Sequence, residues 1–431
     1  MLVVICWLVL IYVWVGYPLI LMGMTSRSPS SDPPRKIKQT KHSLWASVSD
    51  RNCDFSHDSS PETRNTNTGR DQNLETTFSP SVAILLSAHN EEKHIGARIK
   101  NLIELDYPEE KVTIHIGIDG SSDRTVNIAR EWASKSPAIQ VYEVAERRGK
   151  ISMLKDLFTQ SKEDILIFTD ANTDFEPFAL QKLVSHFTDP CIGCVCGRLQ
   201  FLGEGEESVY WRMETHLKTM ESSLDSCLGV NGAIYAIRRS LFWADIPDNT
   251  IVDDFVIGMK VREQGLRVVY EPGAVGQEDL PSLTDEWIRR VRIGAGDYQA
   301  LSLCKECLLP KYGKFAWMFW SHKVLRWFTP HILLMLLLFS FVTFAIRLFL
   351  NTGSSYAIEL KFSFTPVIMM ALLLSGTAAR LLTHFPSVKG TFLKPLKLCD
   401  HFLTMQLALF FGFLRFFQGN LKGHWTRTSR D

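Results

Sequence analysis

From Leu2 to Met24 the chain carries no charged side chain. As a helix, that run is long enough to cross the roughly 30 Å hydrocarbon layer of a bilayer, where every backbone N–H and C=O must be paired inside the segment. A cleaved leader is the competing reading. The run lacks a basic start, exceeds a leader's apolar length and holds Trp7, Trp14 and Tyr17, so it reads as an N-terminal transmembrane anchor, residues 1–24. Arg27, Arg35, Lys36, Lys38 and Lys41 follow it. Basic flanks favour the cytoplasm, and what comes next is expected there.

The far end repeats the signal. Ile332 to Ile346 and Phe362 to Ala379 are uncharged, closed by Arg347 and Arg380. Phe402 to Leu414 is short for a span and meets Arg415, so it either crosses or re-enters. The C-terminal membrane region is set at 331–431, with spans near 331–350 and 362–380 and the undecided segment at 402–418. Before it, Lys311 to Phe328 mixes Phe315, Trp317, Phe319, Trp320 and Trp327 with Lys314, Lys323 and Arg326. Aromatics interleaved with cations suit an interfacial amphipathic segment, 306–330. An integral, multi-pass protein of the plasma membrane is expected, its middle domain cytoplasmic and membrane lipids among its partners. The three clearest runs hold no acid or base, which argues against a transporter. Lys+Arg 47 against Asp+Glu 46 gives a net charge of +1, which offers nothing to attract nucleic acid.

Residues 25–79 are polar and charged, interrupted by Pro29, Pro33, Pro34 and Pro61, and read as a flexible tether. Residues 80–305 alternate between two patterns. Ser81 to Ser87, Val112 to Ile118, Ile139 to Val144 and Ile165 to Phe168 are apolar runs of strand length. Helical spacing occupies about His94 to Leu105, Thr125 to Ser134 and Ser152 to Gln160. Such alternation predicts an α/β domain, and the polar motifs fall at the carboxyl ends of its strands, where open parallel sheets bind ligands.

Three of those motifs carry chemistry. Asp119-Gly120-Ser121-Ser122-Asp123 suits a ribose or base, or an ordinary turn and helix cap. Asp170-Ala171-Asn172 offers two oxygen-bearing side chains that reach a divalent ion and a nucleotide together. Asp253-Asp254 precedes a helix-like stretch and supplies a carboxylate for general base work, beyond simple capping. Arg147-Arg148-Gly149-Lys150 suits a diphosphate, although Val144 and Ile151 break the spacing of a P-loop. Cys191, Cys194, Cys196 and Cys304, Cys307 have zinc-like spacings, but nothing in the sequence demands that the two groups meet.

Taken in order, Ala88-His-Asn-Glu-Glu92, Asp119 to Thr125, Asp170-Ala-Asn172, Gly229-Val-Asn-Gly-Ala233, Asp253-Asp254 and Arg289-Arg-Val-Arg292 resemble the family 2 glycosyltransferases of GT-A fold. The likeness covers about Ser81 to Leu301 and is nearest to the poly-N-acetylglucosamine, chitin, cellulose and hyaluronan synthase group. It implies a nucleotide-diphospho-sugar transferase fold: a mixed, mostly parallel sheet with flanking helices, plus transmembrane helices. It further implies that His89, Asn90, Glu91 and Asp119 line the nucleoside pocket, with Lys150 near it. Asp170 and Asn172 match the DxD motif that binds nucleotide and metal, Mg²⁺ or Mn²⁺. Asp254 matches the catalytic base, Asn231 and Gly232 the acceptor-side loop, and Arg292 the arginine of QxxRW near the diphosphate. Asn172 replaces the second acid of DxD, while Arg289 and Ile293 replace the Gln and Trp of QxxRW.

The resemblance implies inverting transfer from a UDP-sugar, UDP-N-acetylglucosamine or UDP-glucose, to a glycan acceptor in envelope or extracellular polysaccharide synthesis, with polysaccharide-export partners. The altered QxxRW suits a second reading, single addition to a lipid acceptor. A third is an inactive membrane scaffold.

Overall fold

The computed structural model describes residues 2–26, 78–202, 206–279, 283–350 and 393–419. Residues 27–77 of the expected tether and the expected span at 362–380 lie outside them.

The apolar runs form the predicted strands. β1 (Val82–Ala88), β2 (Val112–Asp119), β3 (Ile139–Val144) and β4 (Ile165–Thr169) pair in parallel in the order β3-β2-β1-β4. The short β5 (Asp174–Phe175) follows in the chain, then β6 (Ile192–Leu202), β7 (Ile234–Arg238) and β8 (Arg267–Asp279). β7 runs antiparallel between β4 and β6, β8 lies parallel to β6, and β5 closes the far edge. The result is one mixed eight-stranded sheet.

Successive side chains on a strand face opposite ways, so a run with no polar interruption needs cover on both faces. Val82, Ile84 and Leu86 join one core with α3 (Ile95–Ile103), α4 (Thr125–Ala133) and α6 (Ala179–Ser185). Ala83 and Leu85 join another with α5 (Lys150–Gln160) and α8 (Asp253–Glu263). The long helices α7 (Glu206–Leu224) and α9 (Leu283–Leu303) contribute Leu217 and Tyr298 to that second core.

Two helical stretches among the described residues, Val3–Thr25 and Thr329–Ile346, are long and apolar enough to cross a membrane. The first consists of α1 (Leu2–Ile11) and α2 (Tyr17–Thr25) joined by a π turn over Tyr12–Gly16; the second belongs to α12 (Thr329–Leu350). The N-terminal stretch also packs into the domain. Leu8, Ile11, Val15 and Leu19 are exposed, whereas Tyr17 and Leu21 are buried in the domain core, and the Tyr17 hydroxyl donates to Glu221 of α7 at 2.7 Å.

The segment expected along the headgroups is broken into α10 (Gly313–Met318), a π turn over Phe319–Val324 and α11 (Leu325–Trp327). Trp320 is exposed, but Phe315, Phe319 and Trp327 are buried. The reason lies on α7, whose buried Glu214 takes Lys323 at 2.5 Å and Arg326 at 3.3 Å. Cations read as headgroup partners thus pair with a protein carboxylate and draw their aromatic neighbours inward. The run at Phe402 to Leu414 is part of α13 (Leu393–Phe417), which packs along α9. That crossing needs glycine: a Cβ on Gly412 would stand 2.6 Å from the Ala295 nitrogen.

Candidate active site

The first two motifs brace each other across the carboxyl ends of β1 and β2. His89 Nδ1 lies 2.7 Å from the Asp119 carbonyl oxygen, the Asn90 N–H donates to Ser121 Oγ at 3.0 Å, and the Ser122 N–H returns a bond to Asn90 Oδ1 at 2.8 Å. The Glu91 N–H donates to Thr125 Oγ1 at 2.8 Å. Asn90 holds a φ of 55°, a left-handed conformation uncommon outside glycine and often kept where a site demands it.

Asp119 has a structural task. Its Oδ1 accepts the Arg148 N–H at 2.8 Å and its Oδ2 the Gly149 N–H at 2.7 Å, at the entrance to α5. A carboxylate that satisfies the unpaired amides of a helix start also favours its dipole. The basic loop Arg147 to Gly149 is thereby tied to the end of β2, and Lys150 emerges pointing into the crevice.

There Lys150 Nζ donates to Asp170 Oδ1 at 2.7 Å. Burial pulls the Lys150 ammonium down, but Asp170, Asp253 and Asp254 together hold its pKa above the usual lysine value. Asp253 is buried in the first turn of α8. Burial, opposed by Lys150 and assisted by Asp254 and Asp170, pushes its carboxyl up to about 6. Four side chains from three separate stretches therefore share one field.

Asp254 opens onto the loop at Asn231 and Gly232. Its Oδ1 accepts the Phe255 N–H at 2.8 Å, and its other oxygen lies against Gly232, where a Cβ would stand 2.8 Å from it. Asn231 supports that loop from below: its Nδ2 donates to the Gly197 carbonyl at 2.7 Å and its Oδ1 accepts from Lys218 at 2.5 Å. Arg292 approaches from α9. Burial and Arg289 lower its pKa to about 10, against the pull of Asp253 and Asp254, and Arg415 of α13 adds a further lowering push. Ile293 is half-buried beside it, while Trp287, further back along α9, is exposed and meets Phe411 edge-on at 6.0 Å.

The residues picked out in the sequence thus divide into two sets. Lys150, Asp170, Asp253, Asp254 and Arg292 converge; His89 to Glu91 and Asp119 build the wall beside them. Two parts of this arrangement, Lys218 and Arg415, carry no local signal of that role. A lysine within a helix reads as solvated, and only packing reveals Lys218 as a buried prop. For a metal, the described residues include no group of three or more His, Cys, Asp or Glu placed to hold an ion. Asp170 and Asn172 offer one charged and one neutral oxygen donor. A hard divalent ion takes about six oxygens, so these residues fit an ion only if a bound diphosphate completes the shell.

Two family models match: Glycosyl transferase family 2 over residues 83–245 and Glycosyl transferase family group 2 over residues 165–379. "Probable glycosyltransferase YdaM" of Bacillus subtilis is 26% identical over 232 residues, 49% of this chain and 53% of its own length. "Beta-monoglucosyldiacylglycerol synthase" of Synechocystis sp. is 25% identical over 237 residues, 51% and 48%. The chain thus spans about half the length of these curated relatives. Mannosyltransferase PcManGT from Pyrobaculum calidifontis, solved with GDP-Man and Mn²⁺, superimposes with a TM-score of 0.64 at 19% identity, covering 97% of this chain and 99% of that one. That likeness establishes a shared fold.

Proposed function

This chain belongs to the family 2 glycosyltransferases, and we propose on that premise that it transfers a sugar, with inversion, from a nucleoside diphosphate sugar to a hydroxyl of an acceptor at a membrane surface. The observation that carries the reading is the convergence of Lys150, Asp170, Asp253, Asp254 and Arg292 on one crevice. Asp254 is the base. It takes the proton of the acceptor hydroxyl as that oxygen attacks the anomeric carbon in line and the bond to the diphosphate breaks. An α-linked donor then gives a β-linked product. Lys150 and Arg292 receive the charge of the departing diphosphate.

Asp170 and Asn172 would hold Mg²⁺ or Mn²⁺, which supplies further neutralisation of that charge. The Mn²⁺ bound in the Pyrobaculum enzyme supports the ion. Its GDP-Man widens the donor class beyond the UDP-sugars. The two long apolar stretches support a membrane-embedded chain, and the basic flank after Met24 supports a cytoplasmic catalytic domain.

One feature favours a lipid acceptor over a soluble glycan. Exposed Trp287 and Ile288 stand on α9 just ahead of Arg292, with the exposed Phe411 and Leu414 of α13 nearby. An apolar ridge beside the leaving-group arginine suits acyl chains whose headgroup enters the crevice. The Synechocystis relative, named for a diacylglycerol product, is consistent with this.

The test is full-length protein in detergent with UDP-glucose, UDP-N-acetylglucosamine or GDP-mannose, and either dioleoylglycerol or a chito-oligosaccharide. Nucleotide release coupled to a glycolipid is expected. No release with any donor overturns the transferase reading; product on the oligosaccharide alone overturns the lipid reading.

A further inference from the structure

Charge between Asp254 and the segment leading to α12 is largely paired. Glu214 takes Lys323, Arg326 and, at 3.3 Å, His322 Nε2. Glu221 accepts from Tyr17 and contacts His322 Nδ1. Asp297 stands apart: its carboxylate, half-buried on α9, makes no hydrogen bond or ion pair with any described residue.

Its position is fixed relative to Asp254. Gln299 Oε1 accepts the Ile251 N–H at 3.0 Å and its Nε2 donates to the Asn249 carbonyl at 3.1 Å. Val252 approaches α9 so closely that a Cβ on Gly296 would stand 2.9 Å from its Cγ1. These contacts, on either side of Asp297 in the chain, clamp its turn of α9 to the turn that carries Asp253 and Asp254. The charges that act on its carboxylate are those of Asp254 from α8, Lys323 from the π turn, Glu214 from α7 and Arg290 from α9 itself. Burial pushes the Asp297 carboxyl up to about 8; Asp254 and Glu214 add to the rise, while Lys323 and Arg290 oppose it. At neutral pH the group is therefore a neutral acid that both donates and accepts hydrogen bonds.

We propose that Asp297 is an acceptor-binding residue, which holds a second oxygen of an oxygen-rich lipid headgroup, hydroxyl or ester, while Asp254 faces the hydroxyl that reacts. The inference rests on the transferase reading above. Two acids sharing one field divide the labour: the ionised one accepts the proton and the neutral one donates to the substrate. The headgroup arrives from the side of Lys323, just before the membrane-length helix begins at Thr329.

The experiment compares wild type, Asp297→Ala and Asp297→Asn as full-length protein. UDP-glucose or GDP-mannose serves as donor, and dioleoylglycerol and n-octyl β-D-glucoside as acceptor probes, from pH 6 to 9.5. With Asp297→Ala the acceptor KM rises roughly tenfold, the worth of about one hydrogen bond, while donor KM changes less than about twofold. The wild-type acceptor KM rises above about pH 8, as the neutral donor is lost. Asp297→Asn, isosteric with the neutral acid, keeps a near wild-type acceptor KM at pH 7 and abolishes that alkaline rise. An unchanged acceptor KM in Asp297→Ala overturns the assignment, as does an alkaline rise that persists in Asp297→Asn. Wild-type protein inactive with every donor would instead overturn the transferase reading, and this one with it.

Discussion

The carboxylate of Asp254 rests on the bare α-carbon of Gly232, so closely that a methyl group there would stand 2.8 Å from Oδ2. The proposed base and the loop at Asn231 and Gly232 therefore meet at a point that a side chain could enter only by displacing Asp254. Gly232→Ala must rotate Asp254 or lift the loop, and because effective alignment depends on fractions of an ångström, we expect kcat to fall roughly a hundredfold. UDP or GDP affinity, measured by calorimetry, should stay within a few-fold. A variant with normal kcat would show that the contact has no part in alignment.

Asp254→Asn keeps the shape and removes the basicity. Turnover should fall by roughly 10²–10⁴ with nucleotide affinity retained, as for loss of a general base. If affinity and melting temperature collapse together, the residue is structural.

EDTA should stop transfer, and added Mn²⁺ or Mg²⁺ should restore it, because Asp170 and Asn172 carry no positive charge and would help to neutralise a diphosphate only through a bound ion. Asn172→Asp adds a charge to that donor set and should lower the Mn²⁺ concentration needed for half-maximal rate. Full activity in EDTA would remove the ion from the reaction.

Glu214 joins α7 to the π turn through His322, Lys323 and Arg326. Burial alone would raise its carboxyl, but Lys323, His322 and Arg326 hold it well below the usual range. A depressed carboxyl stabilises the fold above its unfolded pKa, near 4.5, and that stability drains away as pH falls below it. Glu214→Ala should cost about 3 to 5 kcal/mol at neutral pH, since it strands buried cations. It should also flatten the loss of melting temperature on acidification. Identical acid profiles in the two proteins would refute the pairing.

Local sequence was enough for the first four strands, the ends at which the motifs sit and the two long apolar stretches among the described residues. Strand-length runs without polar interruption, turn residues after them and charge-free lengths are all properties of neighbouring residues. The motif order also carried Lys150, Asp170, Asp254 and Arg292 to positions that the fold brings together. The mixed sheet needed tertiary structure, because β7 enters antiparallel beside β4 and no local pattern fixes strand direction. Packing also decided which charges are props. Nothing local marks Lys218 beneath Asn231, Glu214 under the π turn or Asp119 on the Arg148 and Gly149 amides as props. Their roles arise from partners up to 112 residues away. Burial is what makes such pairing strong, and burial belongs to the folded chain alone.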